Sequence, residues 1–310
     1  MDFAMSILSV IFKIDELVNN GVRNDVEYED IIIEKDVEYA ENLLSDLYYD
    51  KHVDDPKGVV VNIHGGGWLV GDKKWRKGIG LHFAKNGFFT INVNYSLSPT
   101  TLYPECVRDI FKVFPFIESI AEKYNLDTDR IYVTGDSAGA HLAAVVGAIE
   151  NNDEVLSRMG IEKPRIFASK LALFCGIYDF TRCVDKPGAA GLVKEMTGVL
   201  HSEYKDSFEF FKELSPINYV TSEYPSTYMV STLGDIFCDG QNELMRAKFD
   251  ECGVKYAEYI TPHKKAMHCF HLNQRRKDSM EALNGAVRFF NGCEEIEESS
   301  EKPLEQALTV

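Results

Sequence analysis

Short apolar runs rich in β-branched residues alternate along the chain with longer segments in which apolar residues recur at helical spacing. Runs of the first kind predict strands, and periodic segments predict helices. Eight strands are predicted, at residues 27–35, 43–50, 58–63, 88–94, 131–134, 170–174, 227–231 and 255–261. The first two are expected to form an antiparallel pair at a sheet edge. Because strands then alternate with helices, the expected fold class is α/β, with a mostly parallel, doubly wound sheet and helices on both faces.

Helical periodicity is clear in several of the intervening segments. Residues 107–124 predict one helix, in which Pro115 is expected to cause a kink. The alanine-rich residues 138–149 suit a buried helix, and residues 279–290 predict the last one. At the N-terminus no basic region precedes the apolar residues and no cleavage site follows them, so an amphipathic helix is favoured over a signal peptide. Its apolar positions are Phe3, Ile7, Val10, Ile11 and Ile14.

Charge and cysteine content narrow the classes of partner and compartment. The chain has 310 residues and a net charge of −16, without a long basic block, which argues against a nucleic-acid partner. No segment is long enough to span a bilayer. The seven cysteines are scattered and contain no Cys-x-x-Cys pair. This argues against a disulfide framework or a structural zinc site and predicts a cytoplasmic location.

The most informative local pattern is Gly-x-Ser-x-Gly, centred on Ser137, between the predicted strand 131–134 and the helix 138–149. A strand, a tight turn through serine and a helix are typical of a nucleophile elbow. Gly135 and Gly139 lack the Cβ atoms that would collide where strand and helix approach each other. Ser137 is therefore the candidate nucleophile.

A serine hydroxyl needs a neighbouring base, and that base needs an orienting acid. With this type of elbow the acid precedes the histidine along the chain. Asp235 and His268 each follow a predicted strand and occur in that order. Asp239 remains a rival for the acid, and His263 and His271 remain rivals for the base.

A run of three glycines directly follows the predicted strand 58–63, in His64-Gly65-Gly66-Gly67-Trp68. Acyl transfer develops an oxyanion that must be bound by backbone N–H groups, and glycines let those groups approach the substrate. The amide of Ala138, the residue after the serine, is the expected second donor. The pattern thus predicts an oxyanion hole.

Four other histidines are interpreted as structural. His64 is expected to brace the glycine run rather than to transfer protons. His141 lies inside the helix behind the elbow and is expected to be a packing residue. His82 and His201 are expected to lie at the surface or in a lid.

These motifs, together with Asn94-Tyr95-Ser96-Leu97-Ser98-Pro99, resemble the hormone-sensitive-lipase-like esterases of the α/β-hydrolase superfamily. The resemblance runs from about residue 58 to residue 290. It implies that Asp235, the first aspartate of an Asp-x-x-x-Asp element, is the acid, and that His268, in a His-x-Phe element, is the base. Two positions depart from the family pattern: Ser96 replaces a bracing arginine, and Cys269 replaces a glycine.

The resemblance implies a serine carboxylesterase that hydrolyses short-chain acyl esters, acetyl esters included, of small molecules. Ser137, Asp235 and His268 would be catalytic, and the oxyanion hole would comprise Gly65, Gly66, Gly67 and Ala138. The residues assigned to the substrate pocket are Trp68, Tyr95 and Asp136, of which Asp136 is expected to brace the site. An aryl-formamidase or other amide hydrolase of the same fold, and a non-catalytic small-molecule receptor, remain alternatives.

The pattern of strands and helices, with the resemblance, predicts the domain organisation. Residues 1–25 would form an N-terminal helix contributing to a cap, and residues 26–293 an α/β-hydrolase catalytic domain. A cap insertion is expected at about 179–219, because this aromatic-rich segment breaks the alternation of strands and helices. The acidic residues 294–310 are expected to be a mobile tail. No metal or organic cofactor is expected, and homodimer formation is left open.

Overall fold

The computed structural model describes residues 3–183, 212–261, 263 and 265–293. Within them, eight strands form one sheet in the order β1-β2-β4-β3-β5-β6-β7-β8. The pairs β1–β2 and β2–β4 are antiparallel, and the other pairs are parallel. This confirms the predicted α/β class and the antiparallel edge. The strands are β1 (Ile31–Ala40), β2 (Leu43–Asp50), β3 (Val59–Ile63), β4 (Phe89–Val93), β5 (Ile131–Asp136), β6 (Lys170–Phe174), β7 (Ser226–Thr232) and β8 (Tyr256–Thr261).

The central strands are buried on both faces, since every residue of β3, β4 and β5 is buried. Alternate side chains of a strand point to opposite faces. Val59 and Val61 accordingly belong to one hydrophobic core and Val60 to the core on the other side of the sheet. Strands covered on both faces are mostly apolar. The run at residues 59–61 fits this expectation, whereas Thr90, Asn92 and Thr134 are buried polar residues within β4 and β5.

Eight helices lie in the described residues, mainly between the strands. The alanine-rich α5 is buried at every position and packs on β5, as its composition predicted. The helices are α1 (Phe3–Asn24), α2 (Lys77–Lys85), α3 (Glu105–Phe111), α4 (Val113–Tyr124), α5 (Ala138–Ile149), α6 (Asp153–Met159), α7 (Gln241–Cys252) and α8 (Lys277–Phe290). None of them is both long and apolar enough to cross a membrane.

The segment predicted as one helix with a kink at Pro115 is two helices that meet at Lys112. Proline has no N–H to donate to the carbonyl four residues earlier, and its ring collides with that carbonyl. Here the carbonyl belongs to Phe111, the last residue of α3. The interruption therefore lies one turn before the proline, which itself fits the first turn of α4.

The prediction that His82 lies at the surface or in a lid is wrong. His82 is buried in α2, with its ring 5.7 Å from that of Phe83. Burial disfavours the imidazolium and lowers the pKa of His82 to about 4. The residue is therefore a neutral part of the core.

Parts of the domain prediction fall outside the described residues. Of the proposed cap insertion at about 179–219, only residues 179–183 and 212–219 are described. His201 and the acidic residues 294–310 also lie outside the description. The helix α1 is longer than the predicted apolar stretch, and its Val10 and Ile14 side chains are each 54% exposed.

Candidate active site

Ser137, His268 and Asp235 are joined in one chain of hydrogen bonds, here called the serine–histidine–aspartate chain. The Nε2 atom of His268 lies 2.9 Å from Ser137 Oγ, and its Nδ1 atom lies 2.8 Å from Asp235 Oδ2. The three residues follow β5, β8 and β7, respectively. Because these strands are parallel, their carboxyl ends meet at one edge of the sheet, which brings together residues 131 positions apart.

The backbone of Ser137 is held in an unusual conformation, with φ of 54° and ψ of −117°. Such a region costs a non-glycine residue on the order of 1–3 kcal/mol and persists only where the surroundings enforce it. Ser137 N donates to the carbonyl of Phe174 in β6 at 2.9 Å, and its carbonyl accepts from His141 N at 3.0 Å. These bonds to the neighbouring strand and the following helix fix the direction of the serine side chain.

The two glycines of the elbow are required by close backbone contacts. A Cβ atom on Gly139 would lie 2.7 Å from the carbonyl carbon of Ile63 in β3. A Cβ atom on Gly135 would lie 2.8 Å from the carbonyl oxygen of the same residue. Both distances are shorter than real Cβ contacts, so glycine allows α5 to start directly above β3.

The carboxylate of Asp235 is buried and satisfied at both oxygens. Oδ1 accepts hydrogen bonds from Phe237 N at 2.9 Å and Cys238 N at 3.0 Å, while Oδ2 faces His268. Burial opposes ionisation, but the histidine and the two amides outweigh it, so the pKa of Asp235 lies below its usual value. The rival Asp239 is exposed, and the structure does not bring it to the histidine.

The ring of His268 is partly exposed and lies 5.1 Å from the ring of Phe237. Burial disfavours its protonated form, yet the neighbouring Cys269 sulfur and the Asp235 carboxylate together more than compensate and raise the pKa of His268. Of the rivals, His263 is exposed. His271 is buried and stacked 4.3 Å from Phe174, and burial lowers its pKa to about 3.

The glycine loop, residues 64–68, adopts a shape that needs glycine at two positions. Gly66 has φ of +120° and Gly67 has φ of +62°. The loop closes because Leu69 N and Val70 N both donate to the carbonyl of Gly66, at 3.2 and 3.1 Å. A Cβ atom on Gly65 would lie 3.1 Å from the Cβ atom of Ser137, so the loop passes directly beside the serine.

Several backbone donors in this region are available to a ligand. Neither Gly66 N nor Gly67 N donates to the part of the chain that the structure describes. Ala138 is the first residue of α5, and an N–H at that position has no acceptor within its helix. The amides of Gly66 and Gly67 are thus unpaired within the described residues, and Ala138 directly follows Ser137.

Trp68 and Tyr95, assigned to the substrate pocket, are buried and bonded within the protein. Trp68 Nε1 donates to His141 Nδ1 at 3.2 Å, and His141 Nε2 lies 2.9 Å from the carbonyl of Leu214. Tyr95 donates its hydroxyl to the carbonyl of His64 at 3.0 Å and stacks on the His64 ring. These contacts favour a role in supporting the glycine loop over direct substrate contact.

Asp136, the third pocket assignment, belongs to a buried ion-pair network that the sequence did not indicate. Arg76 donates to both its oxygens, from Nε at 2.7 Å and from Nη2 at 2.8 Å. Arg76 Nη1 also lies 2.9 Å from Glu16 of α1, which in turn pairs with Arg23 at 2.7 Å. Burial opposes the charge, but Arg76 holds the pKa of Asp136 below its usual range. The carboxylate that precedes the nucleophile is thus braced by Arg76.

Three cysteines that are scattered in the sequence meet around His268, which the sequence also did not indicate. Cys238 Sγ donates to the carbonyl of Cys175 at 3.0 Å and lies 3.9 Å from His268 Nδ1. Cys269 Sγ lies 3.9 Å from Asp136 Oδ2. The only sequence signal was the replacement of the family glycine by Cys269.

Comparison with known proteins identifies the family and the fold of the chain. A family model described as BD-FAE matches residues 45–242, more than half of the chain. Esterase LipQ of Mycobacterium tuberculosis (strain ATCC 25618 / H37Rv) is 30% identical over 210 residues, covering 66% of this chain and 49% of LipQ. The chain thus spans about half the length of the curated relatives that it matches.

Solved structures resemble almost the whole chain. Esterase B from Lactobacillus rhamnosis, inhibited with a C4–C4 tributyrin phosphonate, matches with a TM-score of 0.81 and 21% identity over 95% of this chain and 97% of that one. A hyperthermophilic esterase from the archaeon Pyrobaculum calidifontis matches with a TM-score of 0.73 and 19% identity, over 94% and 93%. These likenesses show that the chain has the α/β-hydrolase fold, as the sequence predicted.

Proposed function

Because the chain belongs to the BD-FAE family of α/β-hydrolases, we propose that it is a serine carboxylesterase acting on small-molecule esters with short acyl chains, acetyl included. The observation that carries the proposal is the serine–histidine–aspartate chain, with hydrogen-bond distances of 2.9 and 2.8 Å. A nucleophile, a base and an orienting acid in contact are what acyl transfer requires. The glycine loop beside Ser137 adds the means to bind an oxyanion.

In the first half of the reaction, Ser137 Oγ attacks the ester carbonyl carbon while its proton passes to His268 Nε2. Asp235 accepts a hydrogen bond from the Nδ1–H of His268, which leaves Nε2 as the acceptor nitrogen. The ionised carboxylate then stabilises the imidazolium that forms. Its two backbone hydrogen bonds keep Asp235 ionised and oriented for this purpose.

The tetrahedral intermediate places a negative charge on the former carbonyl oxygen. In the proposal, this oxygen is bound by backbone amides of the oxyanion hole, which comprises Gly65, Gly66, Gly67 and Ala138. One such donor typically contributes on the order of 2.7–4 kcal/mol of transition-state stabilisation. The imidazolium of His268 then protonates the leaving alcohol, giving an acyl-enzyme on Ser137.

In the second half, a water molecule takes the place of the alcohol. His268 accepts its proton as the water oxygen attacks the acyl carbon, and then returns a proton to Ser137 Oγ as the acid departs. The same groups serve both halves, so the chain's own residues account for every proton transfer.

Two observations support a short acyl chain: the inhibitor of a structurally similar esterase, and the contact between Phe237 and His268. Esterase B, which shares the fold, was captured with a C4–C4 tributyrin phosphonate. In this chain, the Phe237 ring lies 5.1 Å from the His268 ring and gives the base an apolar neighbour. An aromatic ring beside the base is compatible with an acyl or alkyl group that contacts it.

The proposal is tested with p-nitrophenyl esters of increasing acyl length. We expect hydrolysis to be fastest with acetyl to butyryl esters, and Ser137→Ala to be inactive and unlabelled by a fluorophosphonate probe. Ser119→Ala, which removes an exposed helical serine, is the matched control and should behave as the wild type. Wild-type turnover by folded Ser137→Ala would refute the assignment of the nucleophile, whereas a maximum at long acyl chains would refute only the chain length.

A further inference from the structure

Two thiols and the imidazole of the candidate base converge on one point. One sulfur each from Cys175 and Cys269 and one ring nitrogen of His268 all lie within 4.8 Å of one another. Cys175 directly follows β6, and Cys269 directly follows His268. The two cysteines are 1% and 9% exposed, while the His268 side chain is 19% exposed and connects the cluster with solvent.

Both cysteines are held by backbone conformations that few residues other than glycine adopt. Cys175 has φ of 53° and Cys269 has φ of 56°. A left-handed residue of this kind is unfavourable by roughly 1–2 kcal/mol and is maintained only by its surroundings. The two thiols are therefore preorganised by the end of β6 and by the loop that presents the histidine, not carried on freely moving chain.

This set of donors matches the preferences of zinc. Zinc in proteins is bound tetrahedrally by cysteine sulfur at about 2.3 Å and histidine nitrogen at about 2.0–2.1 Å. Those bond lengths put neighbouring donors about 3.5–3.8 Å apart, so a cluster within 4.8 Å needs to contract by about 1 Å. The fourth position would be open to water on the solvent side of His268.

The surrounding charges also favour a cation. Cys269 Sγ lies 3.9 Å from a carboxylate oxygen of Asp136, and Asp235 contacts the other side of the histidine. Arg76 pairs with both Asp136 and Glu16, and Glu16 also pairs with Arg23, so the three carboxylates and two guanidiniums together carry one more negative than positive charge. A positive ion bound by two thiolates would be stabilised there.

We propose that Cys175, Cys269 and His268 form a binding site for zinc that reversibly inhibits the enzyme. Nε2 of His268 bonds Ser137 and Nδ1 bonds Asp235, so whichever nitrogen binds the ion loses one of these bonds. Each thiol releases one proton to solvent on binding, and no electrons are transferred. The binding stands on its own, whereas the inhibition rests on the proposed esterase function.

A second set of donors, Asp235, Cys238 and His268, also meets within 4.8 Å but suits zinc less well. It offers one sulfur instead of two. Both carboxylate oxygens of Asp235 already have hydrogen-bond partners, and Cys238 donates its thiol to the carbonyl of Cys175. The number of sulfur donors therefore favours Cys175, Cys269 and His268.

The site is tested with the full-length protein, reduced, freed of reductant and kept without oxygen. Cobalt(II) serves as the spectroscopic probe, since its thiolate complexes show sulfur-to-metal charge-transfer bands. We expect one equivalent to produce such a band, and zinc to displace it. Cys175→Ser and Cys269→Ser, which keep the side-chain size but remove the sulfur, should each lose the band. Cys252→Ser and Cys293→Ser, which alter a half-buried and an exposed cysteine, are matched controls and should keep it.

Inhibition is measured separately, as the ratio of ester hydrolysis with and without zinc for each variant. Loss of either ligand should raise the zinc concentration for half-inhibition at least about tenfold, and a chelator should restore wild-type activity. A cobalt band retained in both ligand variants, or lost only in Cys238→Ser, would overturn the site. Inhibition reversed by a thiol reductant but not by a chelator would point to oxidation and also count against zinc. If the protein proves to lack esterase activity, the cobalt titration still decides the site.

Discussion

Asp235 affects the reaction through the protonation of one histidine. Burial of the ring lowers the pKa of His268, but the Cys269 sulfur and the Asp235 carboxylate both raise it. The proposed mechanism needs neutral His268, so activity falls as the pH drops through this pKa. In Asp235→Asn the carboxylate charge is lost, so the acidic limb of the pH–rate profile should move to lower pH. The orientation of the ring is also lost, and kcat should fall by about 10³–10⁴.

The measurement is a pH profile of kcat/KM for the wild type and both aspartate variants. Asp239→Asn is the control, because Asp239 is exposed and lies four residues from Asp235. It should leave the profile in place. An acidic limb that does not move in Asp235→Asn would mean that the carboxylate does not set the histidine pKa.

Among single residues, those that belong to a sequence motif could be predicted. Residues that are distant in the sequence and meet only in the folded chain could not. Ser137, Asp235 and His268 each follow a strand in a fixed order, so the sequence narrowed the choice to a few positions. Arg76 and Asp136 are sixty residues apart, and no periodicity or motif relates them. The convergence of Cys175 and Cys269 likewise depends on two distant loops meeting beside the sheet.

Among the elements, α1 has a connection to the nucleophile that its amphipathic pattern did not suggest. Its Glu16 is buried and bonds Arg76, which holds Asp136, the residue before Ser137. Arg76 is itself 3% exposed, so a charge removed from this network is not replaced by water. The helix therefore helps to position the elbow from outside the sheet.

Glu16→Gln tests this connection. The variant leaves Arg76 with one carboxylate, and we expect a loss of about 1–3 kcal/mol in the free energy of unfolding, together with a larger fall in kcat than rise in KM. Denaturant unfolding and steady-state kinetics measure the two effects. Asp15→Asn is the control, since Asp15 pairs with Arg23 at a half-exposed position and should change stability by less than about 1 kcal/mol. A stability loss with unaltered kcat would make Glu16 a structural residue only.

The predicted strand bounds agree with the structure for β2 and β6 and differ by one residue at most at each end for β3, β4, β7 and β8. The runs at residues 43–50 and 170–174 coincide with β2 and β6, although each also contains polar residues. Two other element boundaries were predicted at the wrong residues. The first strand begins at Ile31 instead of residue 27, and the expected kink at Pro115 is a break at Lys112. The helix breaks one turn before Pro115 because proline has no N–H to donate to the carbonyl of Phe111.

For the molecule as a whole, stability should depend on pH through a carboxyl group far from the candidate active site. Glu150, at the end of α5, is 1% exposed and accepts a hydrogen bond from Ala168 N at 2.9 Å. Burial, only partly offset by this bond, raises the pKa of Glu150 from its ordinary value of 4.5 to about 8. The folded protein therefore keeps Glu150 protonated at pH values at which the unfolded chain has lost the proton.

The sign of the effect follows from proton linkage. Between pH 4.5 and about 8 the folded state binds the proton more tightly, so the free energy of unfolding falls as the pH rises through this window. Glu150→Gln keeps an oxygen acceptor for Ala168 N but cannot ionise. It should raise the melting temperature at pH 8, by an amount corresponding to a few kcal/mol, and have little effect at pH 5. Thermal unfolding at both pH values, with Glu154→Gln as the exposed control, measures this difference. An equal change at pH 5 and pH 8 would show that Glu150 acts through packing instead of ionisation.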